Sequence, residues 1–457
     1  MPKLTPEGHR TRRGVFALTW TSYASYYFVR KNLPIAKTSL KAIGISDSGL
    51  ALLDTVFLVV YALGQFCGGW LGDKIGARRL VGFGMLMSAI FCAAFGLSST
   101  LLAFAIFLAL DGFFEATGWP GTMKAMAAWF DTKERGKVMG VWSTCFQVGP
   151  ILATALAARL VGGGLVAHFG GRFERLSFDI HGWRSAFFVP ACLVAVVGLV
   201  VLRFLRDKPG PRDLIDGVAA PGATAEEEAA RVLRNAPPDA AVVRLARQAA
   251  LKNPVVWMLG FSYFGMKLIR YCIDFWAPFF LETSLHYPRE KAGYMSTALQ
   301  VGGIVGAIGI GWISDRWFPT KRGAVACVTT LVLAVSLAIY AKTAALGMGA
   351  NLLGLALIGF CLFGPDALIS GVAAQDLGGP YAAATVAGII NGLGSVGAIA
   401  QGFLFTSVNH RYGLQAVFYV LMTLAAISAA GLGSVWILQN RQSARAASAD
   451  PSVSSAA

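Results

Sequence analysis

Twelve stretches of this chain are each long and apolar enough to cross a bilayer, and a charged interval divides them six and six. A spanning helix needs about 20 mostly apolar residues. The stretches run about 14–37, 50–72, 79–97, 100–130, 137–161, 184–205, 254–284, 293–314, 323–343, 349–375, 382–408 and 413–438. In lipid each backbone N–H and C=O must be satisfied internally, so such segments fold as helices, and Pro120, Pro150 and Pro365 within them need neighbouring groups to meet the freed carbonyls. Of 457 residues, 56% are hydrophobic and 14% charged, against about 25% charged in a soluble domain. The expected fold is an all-α membrane protein, with twelve transmembrane helices in two six-helix bundles. Five parts follow: a cytoplasmic basic tail at 1–13, an N-terminal bundle at 14–205, a cytoplasmic linker at 206–253 with one short surface helix, a C-terminal bundle at 254–438, and a disordered Ser- and Ala-rich tail at 439–457.

The formal charge of +15 fits a membrane protein better than a nucleic-acid binder. There is no basic helix interleaved with aromatics, and the cations gather in short loops and tails, as the positive-inside rule requires. One side collects Lys3, Arg10, Arg12, Arg13, Lys74, Arg78, Arg79, Lys133, Arg135, Lys137, Arg316, Lys321, Arg322, the linker, Arg441 and Arg445. The other has fewer, chiefly Lys37, Lys41, Arg172, Arg175, Arg289 and Lys291. Both termini are therefore expected to be cytoplasmic, in a multi-pass protein of the cell inner membrane. The N-terminus lacks a short apolar core followed by a small-residue cleavage site, so no cleaved signal is expected. The seven cysteines fall in apolar stretches and the five histidines in tails or loops. None has metal-ligand spacing, and no Gly-rich phosphate cradle precedes a Lys-Ser/Thr pair. No metal, no cofactor and no enzymatic activity are expected.

Two motif pairs recur at nearly one offset. Gly69-Trp-Leu-Gly72-Asp73-Lys74, followed by Arg78-Arg79, is repeated about 240 residues on as Gly311-Trp-Ile-Ser-Asp315-Arg316, followed by Lys321-Arg322. Arg30 and Arg270, each inside an apolar span, are also about 240 residues apart. The chain therefore reads as a duplication, and the two bundles as pseudo-symmetric, with one arginine per copy. A charge at mid-bilayer costs about 2.5–3.5 kcal/mol on insertion scales and marks a functional position by default. Guanidinium is a rigid fork that matches phosphate or carboxylate oxygens. A phosphate monoester carries about −1.5 to −2 charge near neutrality, which two arginines would roughly neutralise. The competing reading pairs each arginine with a structural carboxylate, for instance Asp54 or Glu115. The acids and bases of the repeated loops, Asp73, Arg78, Asp315 and Arg316, are expected to hold helix ends together and to gate.

The loop signature and its repeat resemble the major facilitator superfamily, which implies two bundles rocking about a midplane site. Tyr23-Ala-Ser-Tyr26-Tyr27-Phe28-Val29-Arg30-Lys31-Asn32 resembles the first-helix signature of the organophosphate:phosphate antiporters. Thr117-Gly118-Trp119-Pro120, Arg135-Gly136 with Gly140-Val-Trp142, Gly364-Pro365 and Arg270-Tyr-Cys-Ile-Asp274-Phe-Trp276 are similar to that family too. The resemblance implies that Arg30 and Arg270 clamp a phosphoryl group, with Lys31 in support, and that Tyr26, Tyr27 and Trp142 line the path or pack. Lys267, at i−3 from Arg270, either adds to the positive field or snorkels to the interface. Asp366, Gln375 and Asn391 are candidate head-group contacts. Departures are visible: Phe146 stands where a histidine is usual, and Gln65 where a lysine is. Asp54, Asp111, Glu115 and Asp366 place acids inside spans. Burial disfavours the charged form of a carboxyl, so Glu115 or Asp54 could instead serve as a proton site, unless Glu115 pairs with Arg30 or Lys124. The implied function is exchange of a sugar phosphate or glycerol 3-phosphate for inorganic phosphate by a monomeric carrier. A proton-coupled organic-anion symporter and a transporter-like sugar-phosphate sensor remain as alternatives.

Overall fold

A computed structural model describes residues 4–163, 165–166, 179–180, 182–215, 240–318 and 322–449. The helices are α1 (Pro6–Arg30), α2 (Asn32–Ala42), α3 (Asp47–Ile75), α4 (Ala77–Leu97), α5 (Leu101–Glu115), α6 (Gly118–Trp129), α7 (Arg135–Trp142), α8 (Cys145–Gly163) and α9 (Ser185–Phe204). They continue as α10 (Ala240–Lys252), α11 (Pro254–Thr283), α12 (Arg289–Trp317), α13 (Arg322–Thr343), α14 (Met348–Asp366), a π-helical stretch Ala367–Ala373, α15 (Ala374–Tyr412) and α16 (Leu414–Ala449). Leu165–Val166 and Asp179–Ile180 form the one two-stranded ladder among the described residues.

Side-chain caps set several helix starts. Thr5 accepts from the Gly8 amide with Pro6 at the first helical position, so α1 begins at Pro6 rather than 14. Ser46, Thr100 and Asn253 cap α3, α5 and α11 in the same way; each meets an N–H that the helix itself leaves unpaired. The helix ending at Ala449 takes in the first part of the expected disordered tail. Of the expected linker, 216–239 lies outside the described residues, and α10 supplies its short helix.

Among the described residues, nine runs are long and apolar enough to cross a membrane, and one of them, Met348–Tyr412, holds two expected spans. The first and seventh expected spans, α1–α2 and α11, fall outside that group. These are the helices that carry Arg30–Lys31 and Lys267–Arg270.

The chain divides into two compact units. The first comprises Met1–Asp131, Thr144–Gln248 and Gln375–Gly388; the second comprises Thr132–Ser143, Ala249–Ala374 and Ile389–Ala457. In the first, α4 packs on α9, α3 on α5 and α1 on α8; in the second, α12 packs on α14, α13 on α16 and α7 on α12. Helices in lipid associate through close packing of small residues. A Cβ on Gly302 would come within 1.9 Å of the Ala356 carbonyl oxygen, and one on Gly359 within 2.0 Å of that of Leu299.

Candidate functional site: an arginine–carboxylate pair in each unit

In the first unit Arg30 is the last residue of α1 and Glu115 the last of α5. Proline explains the second break. Pro120 lacks an N–H and frees the carbonyl four residues earlier, at Ala116, where α5 gives way to α6. The Arg30 guanidinium donates through Nε and Nη2 to one oxygen of Glu115, whose side chain is fully buried. Its other faces meet aromatic rings, with Tyr61 at 4.7 Å, Tyr27 at 5.1 Å and Phe57 at 5.9 Å, where the ring quadrupole favours a cation. One turn before Glu115, buried Asp111 accepts from the Ser88 hydroxyl.

In the second unit Arg270 lies in the middle of unbroken α11. Its Nη1 donates to Asp366 Oδ2 at 2.6 Å, and it sits 4.6 Å from the Phe363 ring. Asp366 closes α14, beside Pro365 and before the π-helical stretch; such stretches are frequent at functional positions. One turn before Arg270, the buried Lys267 ammonium donates to Asn391 Oδ1 and Ser395 Oγ, both at 2.8 Å.

Several sequence expectations change here. Neither guanidinium is left uncompensated: each meets a carboxylate of its own unit, as the competing reading had it. Asp54 is not an arginine's partner: it meets Lys37 at 2.5 Å and is partly exposed. Asp366 is the partner of Arg270. Lys267 does not snorkel, because two polar acceptors hold it in the interior. Tyr26 is buried, its hydroxyl donating to the Val81 carbonyl at 3.3 Å, and it packs on Gly118. Tyr27 faces Arg30, Trp142 is fully buried at the end of α7, Lys31 is half-buried at the α1 terminus, and Gln375 donates to Met123 Sδ at 3.5 Å. Ser88 and Ser395 escaped the sequence reading. Ser395 was findable, lying one helical turn after Asn391; Ser88 carried no signal.

The repeated loops act through backbone amides. In the first unit Asp73 accepts from the amides of Ala384 at 3.3 Å and Thr385 at 2.8 Å, and pairs with Lys124 at 3.3 Å. In the second, Asp315 accepts from those of Gly136 at 3.1 Å and Lys137 at 2.6 Å in the first turn of α7, and pairs with Arg322 at 3.0 Å. An anion at a helix N-terminus is favoured by unpaired N–H groups and by the helix dipole. The expected basic partners differ. Arg78 instead meets the Leu202 carbonyl through its side chain and Asp207 through its amide, while Arg316 is exposed.

Long apolar helices with an arginine paired to a buried carboxylate in each of two units define a polytopic membrane protein. Residues 16–402 match the Major Facilitator Superfamily. The chain is 33% identical over 448 residues to a candidate glycerol-3-phosphate transporter of Arabidopsis thaliana, covering 91% of this chain and 84% of that one. It is 28% identical over 427 residues to the membrane sensor protein UhpC of Escherichia coli (92% and 90%), and 28% identical over 465 residues to a glucose-6-phosphate exchanger of Danio rerio (90% and 89%). A crystal structure of a human organic anion transporter shares the fold, with a TM-score of 0.65 at 17% identity, covering 94% of this chain and 100% of that one. The chain belongs to the Major Facilitator Superfamily and, within it, to the organophosphate:phosphate antiporter family. Its fold is the all-helical, twelve-span fold of that superfamily.

Proposed function

We propose that this protein exchanges an organophosphate, a sugar phosphate or glycerol 3-phosphate, for inorganic phosphate across the inner membrane by alternating access. It would work as a monomer with both termini cytoplasmic. The observation that carries the reading is one partly buried, carboxylate-paired arginine per unit, in a family whose relatives are named for moving such anions. A phosphoryl group offers each guanidinium bidentate geometry in place of the single carboxylate oxygen it meets here. Arg30 and Arg270 are the anion ligands, with Lys31, Lys267, Tyr27 and Asn391 as supporting contacts. The anion displaces Glu115 and Asp366, and it drives the conformational change to the extent that it binds the closed state better than the open ones. Asp73 and Asp315 gate by holding or releasing helix amides.

Vesicles containing the purified protein and loaded with inorganic phosphate should take up labelled glycerol 3-phosphate or glucose 6-phosphate. Equal uptake into phosphate-free vesicles would exclude obligatory exchange. One observation favours a second reading, proton-coupled anion symport: each arginine is held by a buried acid that an incoming anion must displace. Uptake into phosphate-free vesicles that depends on a pH gradient would select it.

A further inference from the structure

The linker helix α10 takes no part in either arginine centre. Its sequence, Ala-Ala-Val-Val-Arg-Leu-Ala-Arg-Gln-Ala-Ala-Leu-Lys, has three cations and no acid. The helix is two-faced. Val242 and Leu245, at i and i+3, share one stripe, while Arg244 and Gln248, at i and i+4, share another. Both apolar side chains are exposed, Leu245 at 62%. A helix with one apolar face and one basic face is too polar to span a bilayer and suits the layer where headgroups meet acyl chains.

Its packing in the first unit sets that depth. The Arg247 guanidinium carbon lies 5.2 Å from the centre of the Trp70 ring, and Lys74 Nζ lies 3.5 Å from it. Trp70 and Lys74 stand in the last two turns of α3, a helix long and apolar enough to cross a membrane. Trp70 is 48% exposed, and tryptophan collects where a span leaves the hydrocarbon. Lys74, Arg244 and Arg247 thus border an exposed apolar surface, and among the described residues none of them meets a carboxylate. Asp73, the neighbour of Lys74, is buried and occupied by Lys124 and two backbone amides. Basic side chains rimming apolar ones complement a lipid phosphate above its own acyl chains.

We propose that α10 and the end of α3 form a docking surface for anionic phospholipid, which anchors the linker helix to the bilayer. Val242, Leu245 and Trp70 enter the boundary between headgroups and acyl chains. Lys74, Arg244 and Arg247 take the lipid phosphate and the negative field of its neighbours. The surface is independent of which anion the protein carries.

Native mass spectrometry of the detergent-solubilised full chain, titrated with phosphatidylglycerol or phosphatidylcholine, tests the proposal. For the first lipid bound, wild type should prefer phosphatidylglycerol by about a hundredfold, the sum over the basic side chains. Lys74→Gln and Arg247→Gln should each weaken its binding about fivefold, and together about thirtyfold, with phosphatidylcholine binding unchanged. Equal affinity for the two lipids would overturn the proposal, and is the result expected if the linker's own Glu226-Glu227-Glu228 occupies these cations. A preference that the double variant keeps would overturn it too. Dimers in place of lipid adducts would assign the face to a second copy and reject the lipid. Should the variants not fold, hydrogen exchange of wild type decides. The α10 amides should exchange about tenfold more slowly in nanodiscs of phosphatidylglycerol than of phosphatidylcholine, and equal rates reject the surface.

Discussion

The two arginine centres occupy matching places in a repeated sequence pattern yet balance charge in opposite ways. Around Arg30 lie two buried acids and a cradle of three aromatic rings, at a point where two helices end. Around Arg270 lie one directly paired acid and a second buried cation, Lys267, on an unbroken helix. The first centre is formally short of positive charge, whereas the second has a reserve held by an amide and a hydroxyl. Equivalent positions in a duplicated fold therefore need not do equivalent work.

Substituting each arginine is the strongest way to break this comparison. Arg30→Lys and Arg270→Lys keep the charge but lose the fork, and truncating one partner of a buried charged pair costs about 2–5 kcal/mol. Each should reduce phosphate exchange by a factor on the order of 100 with normal membrane insertion, read as initial rates in vesicles. Near-normal exchange in Arg270→Lys would remove that residue from the anion site.

Stability sharpens the contrast next. Asp366→Leu alone strands the Arg270 cation and should lower the melting temperature in detergent, since breaking a buried pair costs about 3–5 kcal/mol. Adding Arg270→Met should recover most of the stability while transport stays absent, because a buried pair can be replaced by packed apolar groups with little loss. A double variant no more stable than the single one would show that the pair is not the source of the effect.

A smaller effect is expected at the reserve cation. Lys267→Met should raise the KM for inorganic phosphate about tenfold, through loss of field at Arg270, with a lesser change in Asn391→Ala. No change in KM would confine Lys267 to packing. The smallest effect should come from Tyr26→Phe. It removes one hydrogen bond, worth about 1 kcal/mol, and should lower thermal stability slightly while leaving the rate of exchange within twofold of wild type. A large loss of exchange would return Tyr26 to the transport path.

Much of this site could be read in the chain. Arg30 and Arg270 stood out because charges inside apolar spans have few structural uses, and Asp73 and Asp315 because a duplicated motif leaves a fixed offset. Glu115 was weighed against both Arg30 and Lys124 as partners. What linear reading missed were pairings across distant helices, such as Lys124 with Asp73, Arg322 rather than Arg316 with Asp315, and Asp366 with Arg270. The amide contacts of Asp73 and Asp315 were equally hidden, since backbone donors carry no sequence label.

Hydropathy determined that the chain is a bundle of membrane helices, because lipid leaves the backbone no alternative and about twenty apolar residues fix the length of a span, and the motifs repeated at one offset added that its halves are related. Only the tertiary structure decided which charge meets which. Helical spacing says which residues share a face but not which face turns toward which neighbour, and breaks such as those after Arg30, Glu115 and Asp366 re-aim side chains. The arrangement of neutralised arginines, with one acid in excess in the first unit and one cation in reserve in the second, belongs to packing rather than to pattern.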